Sequence, residues 1–151
     1  MDLLNHLIYF LISMRPKQTT QIDITSAELD ELIKSTLDIE VDYEREDTSY
    51  MLVNLDFLEK HVSASFVPDM VYEKEVFDCD EFSLTMRAMF KLLRQNHCVG
   101  RIKVDKTPSE SGGVHSLNLF IGEDYNIYLL EPQRGKYFVP PSDWEYLKLT
   151  I

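Results

Sequence analysis

"VHSLNLFIGEDYNIYLLE", residues 114–131, carries the clearest folding instruction in the chain. In its first half, alternation places His115, Leu117, Leu119 and Ile121 on one face, with Ser116, Asn118 and Phe120 on the other. In the return run Tyr125, Ile127, Leu129 and Glu131 share a face. If "GED" is a three-residue loop, Ile121 stands opposite Tyr125, Leu119 opposite Ile127, Leu117 opposite Leu129, and His115 opposite Glu131. Directly opposed side chains have Cβ atoms about 5 Å apart, close enough for a carboxylate to bond an imidazole N–H. A slip of one residue would set apolar faces against polar ones, so the pairing is specified. The stretch predicts a hairpin with a His–Glu pair at its open end.

Working outward, "CVGRIKV" (98–104) reads as a strand before it and "KYFV" (136–139) as a last strand after it. "DKTPSESGG" (105–113) is a loop by its Pro, Ser and Gly content, and Trp144, Tyr146 and Leu147 anchor the tail. Upstream, a helix is predicted over 79–95. Asp78 is its N-cap and Glu81 the N3 partner, with Phe82, Met86, Met89, Phe90 and Leu93 at helical spacing. "TSAELDELIKS" repeats the capping signature with Thr25 and Glu28, predicting a helix to about Lys34. Between these, "EREDT" (44–48) is a charged turn, "SYMLVNL" a strand, and "DFLEKHV" a short helix or an extended continuation of that strand. Helices followed by a run of antiparallel strands make an α+β fold.

At 151 residues, 44% of them hydrophobic, the chain is most simply one globular domain. Residues 1–24 are expected to form an N-terminal segment and 25–151 the domain. The net charge of −11 argues against a nucleic-acid reader, which needs clustered Lys and Arg. The start, "MDLLNHLIYFLISM", is too short to span a bilayer. Asp2 stands where a signal peptide carries positive charge, and the basic Arg15 and Lys17 follow the apolar run. Leu3, Leu4, Leu7, Phe10 and Leu11 fit one helical stripe, as in a docking helix; alternatively Met14 is the natural start. Residues 15–24 read as an exposed polar connection. Cys79 and Cys98 cannot make a disulfide framework; they allow one bridge and equally fit two free thiols in a reducing, cytoplasmic compartment.

"FDCDEF" (77–82) sets Cys79 among three carboxylates at the first turn of the predicted helix. Unpaired N–H groups and the helix dipole favour a thiolate there, while the neighbouring acids oppose it. A thiol, an imidazole and a group orienting that imidazole are the parts of an acyl-transfer site. In chain order these are Cys79, His115 and Glu131. His61, at a charged helix end, and His97, at a helix C-terminus, are explained by position, and Cys98 reads as core. Cys and His spacing offers no zinc site.

"F-D-C-D-E-F", a histidine followed by "S-L-N", and "Y-L-L-E-P-Q-R-G" together resemble the papain-like cysteine-protease domain of the fairy-ring mushroom agglutinin type. Similar lectin-like or transglutaminase-like domains occur alone in phages and bacteria. The resemblance covers about 70–140. It implies a papain-like fold, Cys79 as nucleophile, His115 as general base, Glu131 as its orienting partner, and Gln133 as a substrate or oxyanion group. It also implies activation by calcium, for which Asp78, Asp80 and Glu81 are the oxygen donors; the sequence itself requires no cofactor. One departure is that no Gln occurs between Gln21 and Cys79, where such enzymes carry an oxyanion-hole glutamine. The expected function is a cysteine hydrolase cleaving amide bonds of a peptide through an acyl-thioester. Its alternatives are a peptidoglycan amidase or transglutaminase-like acyl transferase, and a non-catalytic binding or structural module of a phage-like element.

Overall fold

The computed structural model describes residues 17–43, 47–106 and 113–151. The N-terminal docking helix, most of the "EREDT" turn and most of the 105–113 loop lie outside the described residues. In chain order the elements are β1 (Asp23–Thr25), α1 (Ser26–Leu37), β2 (Val41–Asp42), β3 (Ser49–Met51), α2 (Leu55–Ser63) and a 3-10 turn (Val67–Asp69). Then follow α3 (Cys79–Lys91), β4 (Val99–Asp105), β5 (Val114–Ile121), β6 (Ile127–Glu131), β7 (Lys136–Phe138) and β8 (Glu145–Thr150).

The predicted capping boxes open two helices. Thr25 accepts from the Glu28 N–H while the Glu28 carboxylate accepts from the Thr25 N–H, and Asp78 and Glu81 do the same for α3. Helix α1 runs three residues past the predicted end and stops where Asp38 turns left-handed. Helix α3 ends at Lys91, four residues before the predicted end, and Arg94 adopts a left-handed backbone soon after.

Six strands form one sheet in the order β2-β8-β4-β5-β6-β7, and β1 pairs with β3 in a separate two-stranded ladder. The tail read as an anchor is in fact strand β8. It inserts between β2, to which it is parallel, and β4, to which it is antiparallel. Alternation divides the core between the two faces of the sheet. Leu29, Ile33 and Leu37 of α1 meet Ile102, Val104, Leu117, Leu119, Leu129 and Leu149 on one face. On the other, Phe57 and Leu58 of α2 and Phe82, Met86 and Phe90 of α3 meet Val99, Phe120 and Leu130. Asn118, fully buried, bolts α3 down: its amide donates to Ser83 O at 2.9 Å and Gly100 O at 3.2 Å. The α+β class expected from the sequence is what the chain adopts.

The "exposed connection" is corrected in part. Gln18 is buried, its amide donates to Leu52 O at 2.7 Å, and its carbonyl accepts from Asn54 N–H at 2.9 Å. Burying a primary amide requires such partners; these two come from a distant part of the chain, and Thr20 O adds a local one at 3.0 Å.

Candidate functional site

At the start of α3, Asp78 Oδ1 accepts from the Asp80 N–H at 3.0 Å and Glu81 Oε2 accepts from the Asp78 N–H at 3.1 Å. Cys79, the first residue of the helix, is half-buried and free, and its thiol has no hydrogen-bond partner among the described residues. Asp80 reaches the sheet, accepting from Ser116 Oγ and from Lys103 Nζ, the latter at 3.0 Å. The Ser116 hydrogen bond, opposed by burial and helped by Lys103, holds the Asp80 carboxyl below its ordinary pKa.

The His–Glu pair is present: His115 Nε2 lies 2.7 Å from Glu131 Oε2, both side chains being largely buried. The register that produces it differs from the expected one. Ile121 pairs with Ile127 and Leu119 with Leu129, two residues along from the predicted pairing. A shift of two keeps every side chain on its face, so His115 reaches Glu131 diagonally instead of straight across. The cause is the turn. Asp124 Oδ1 accepts from the Asn126 N–H at 3.1 Å and Tyr125 is left-handed (φ 60°), so residues 122–126 close a longer loop than "GED". Burial pushes the Glu131 carboxyl up. The hydrogen bond and charge of His115, the Gln133 N–H and the charge of Lys106 outweigh it and set the pKa below its ordinary value. Gln133 sits in the turn between β6 and β7, where strand alternation no longer decides its side; its backbone N–H donates to Glu131 Oε1 at 3.3 Å.

Ser116 and Asn118 point toward α3, so alternation assigns His115, with Leu117 and Leu119, to the opposite face. The structure brings His115 and Glu131 together and forms no bond from either to Cys79. Asp78 and Glu81 are engaged in the capping box and Asp80 in the Ser116–Lys103 contacts. Among the described residues no three His, Cys, Asp or Glu side chains gather into a group that could hold a metal ion.

The positional readings of His61 and His97 are corrected. Both are buried, and Phe57 stacks on each: ring centres lie 5.6 Å apart for His61 and 5.0 Å for His97. Burial drives the His97 imidazole down to about 4, so at neutral pH it carries no charge for a helix dipole to hold. Cys98 is core, as expected, with burial raising its thiol to about 12.

A feature absent from the sequence reading is a cavity of about 610 Å³ between the end of α1, the β5–β6 turn and the tail, lined by Trp144, Tyr146, Asn126, Asp38, Ser142 and Pro140 among others. Trp144 meets Phe138 edge-on at 5.9 Å, Lys106 Nζ lies 4.5 Å from its ring centre, and the Tyr146 hydroxyl donates to Pro141 O. Only Trp144 and Tyr146 were visible in the sequence, as tail anchors. The rest of the lining comes from the end of α1, the β5–β6 turn and the tail residues just before Trp144.

No known protein family matches the chain, and no curated protein does. Solved structures do. A Polyporus squamosus lectin bound to the human-type influenza-binding epitope Neu5Aca2-6Galb1-4GlcNAc superimposes with a TM-score of 0.74 at 18% identity, over 85% of this chain and 49% of that one. The PSL1a–E64 complex gives 0.72 at 18% identity, over 85% and 51%. The chain thus spans about half the length of these lectin chains, and at this identity the likeness is one of fold. It overturns the papain-like protease resemblance and the expected cysteine hydrolase function. That resemblance rested on short motifs around single residues, whereas the path of most of the chain follows a lectin structure. The protease and transglutaminase-like expectations are corrected with it. Among the described residues no helix is long and apolar enough to cross a membrane.

Proposed function

We propose that the chain is a non-catalytic binding module whose ligand is a carbohydrate rather than a peptide. The observation that carries this reading is the fold shared with Polyporus squamosus lectin. The cavity at Trp144 supports it chemically. Its volume is in the usual range for small-ligand sites, and it combines aromatic and proline surface with a few convergent polar groups. Aromatic rings match the C–H faces of a pyranose, and the Asn126 amide, Asp38 carboxylate and Ser142 hydroxyl match its hydroxyls. The lack of a thiol–imidazole bond at Cys79 is consistent with a module that does no acyl chemistry.

The test is a calorimetric titration of the full chain with a panel of neutral and acidic oligosaccharides, with Trp144→Ala and Cys79→Ala in parallel. Trp144→Ala is expected to weaken binding at least tenfold, while Cys79→Ala binds as the parent does. Iodoacetamide should alkylate Cys79 no faster than it alkylates a free reference thiol. Failure of every sugar to bind at millimolar concentration overturns the reading, as does alkylation of Cys79 many-fold faster than the reference.

A further inference from the structure

We infer that the face of β4, β5 and β8 beside the start of α3 holds a binding pocket for a compact oxyanion, a carboxylate or sulfate, gripped by the Arg101 guanidinium. A cavity of about 330 Å³ opens there, lined by Asp42, Arg101, Lys103, Ser116, Lys148 and Thr150. Register explains the gathering. Arg101 pairs with Asn118 on β5 and Thr150 on β8, and Lys103 with Ser116 and Lys148, so alternation sends all these side chains to one face.

In a chain of net charge −11, this pocket concentrates positive charge. Two of its three cations are paired: Lys103 with Asp80 at 3.0 Å and Lys148 with Asp42 at 3.0 Å. Arg101 is left over. Among the described residues its guanidinium makes no direct hydrogen bond or ion pair; its Nε is shut off from solvent, and its charge acts on Asp80 only at longer range. Arg101 is partly buried and lines the open cavity, so an anion entering that cavity would meet the outer N–H groups of a guanidinium held partly out of water with no direct partner. The guanidinium fork matches two oxygens of a planar or tetrahedral anion, and the Thr150 hydroxyl and Lys148 ammonium line the same space. Three cations against Asp42 and Asp80 leave one positive charge for the anion to neutralise.

This inference stands independently of the Trp144 cavity. A free small anion and the acid group of an acidic sugar offer the same oxygens, and the experiment separates them. The full chain, isotopically labelled, is titrated with sodium sulfate at constant ionic strength against chloride while the Arg101 Nε–Hε resonance is followed. A saturable shift is expected, lost in Arg101→Gln and weakened at least threefold in Lys148→Gln, whose exposed side chain is dispensable for folding. Glucuronate shifting the same resonance at least tenfold more tightly than sulfate identifies the pocket as the acid subsite of a sugar; sulfate alone doing so identifies a free anion. No saturable shift, or a shift unchanged in Arg101→Gln, overturns the inference. Trp144→Ala should leave the sulfate response intact, so the two sites fail separately.

Discussion

His97 is the residue on which protonation and folding are most directly coupled. It is buried against Phe57 and Phe90, with neither ring nitrogen hydrogen-bonded among the described residues. Burial first, then the charges of His61 and Lys91, lowers its pKa from 6.5 to about 4. Above pH 6.5 it is neutral in folded and unfolded chains alike. Between 6.5 and 4 only the unfolded chain takes up the proton, so the stability contributed is complete above 6.5 and drains away as pH falls toward 4. The loss amounts to about 3 kcal/mol by the linkage relation. Urea midpoints measured from pH 7 to 4 should fall steeply in the parent and distinctly less in His97→Leu. Equal slopes would show that this imidazole does not titrate as its burial requires. The sequence did not disclose this, because a histidine after a helix looks solvated until α2 is known to cover it.

The β5–β6 hairpin shows what an element's own residues can and cannot specify. Period-two alternation is a local property, so the faces, the sheet and the His115–Glu131 pairing were legible. The register was not, because it depends on backbone angles at Tyr125 that Asp124 and Asn126 set by side-chain bonds. Strand β8 was illegible for a related reason: its burial pattern does not alternate, and only its neighbours β2 and β4 make it a strand. The Trp144 cavity, assembled from α1, the hairpin turn and the tail, has no sequence signature at all. The hairpin reading carries its own test. Tyr125, half-exposed, holds φ at 60°, a conformation costing an L-residue about 1–2 kcal/mol. Tyr125→Gly should therefore raise stability by up to about 1 kcal/mol after glycine's entropic penalty, read as a higher melting temperature. A drop in melting temperature would place the ring's packing above the backbone strain.

At the scale of the molecule, a central sheet with α1 on one face and α2 and α3 on the other leaves the small β1–β3 ladder to be tied on separately. Gln18 does much of that tying. Its N–H donates to Gln95 Oε1 and its carbonyl oxygen accepts from Gln95 Nε2 at 2.9 Å, fixing it to the segment after α3. Its amide reaches Leu52 O and Asn54 N–H at the junction of β3 and α2, and contacts Glu123 in the hairpin turn at 3.3 Å. Glu123 in turn accepts from Asn54 Nδ2 at 2.6 Å, closing a polar ring around the junction. One side chain thus joins the ladder, α2 and the sheet's hairpin, a role that composition alone made look like linker. Gln18→Ala strands the Leu52 carbonyl and the Asn54 N–H in a site built to exclude water, each costing about 1–3 kcal/mol. The expected outcome is a loss of about 2–4 kcal/mol in urea unfolding, with the denaturant slope unchanged because the fold still unfolds as one unit. A shallower slope with little change in midpoint would instead mean that the ladder detaches on its own, and that residues 17–25 are an appendage to the sheet.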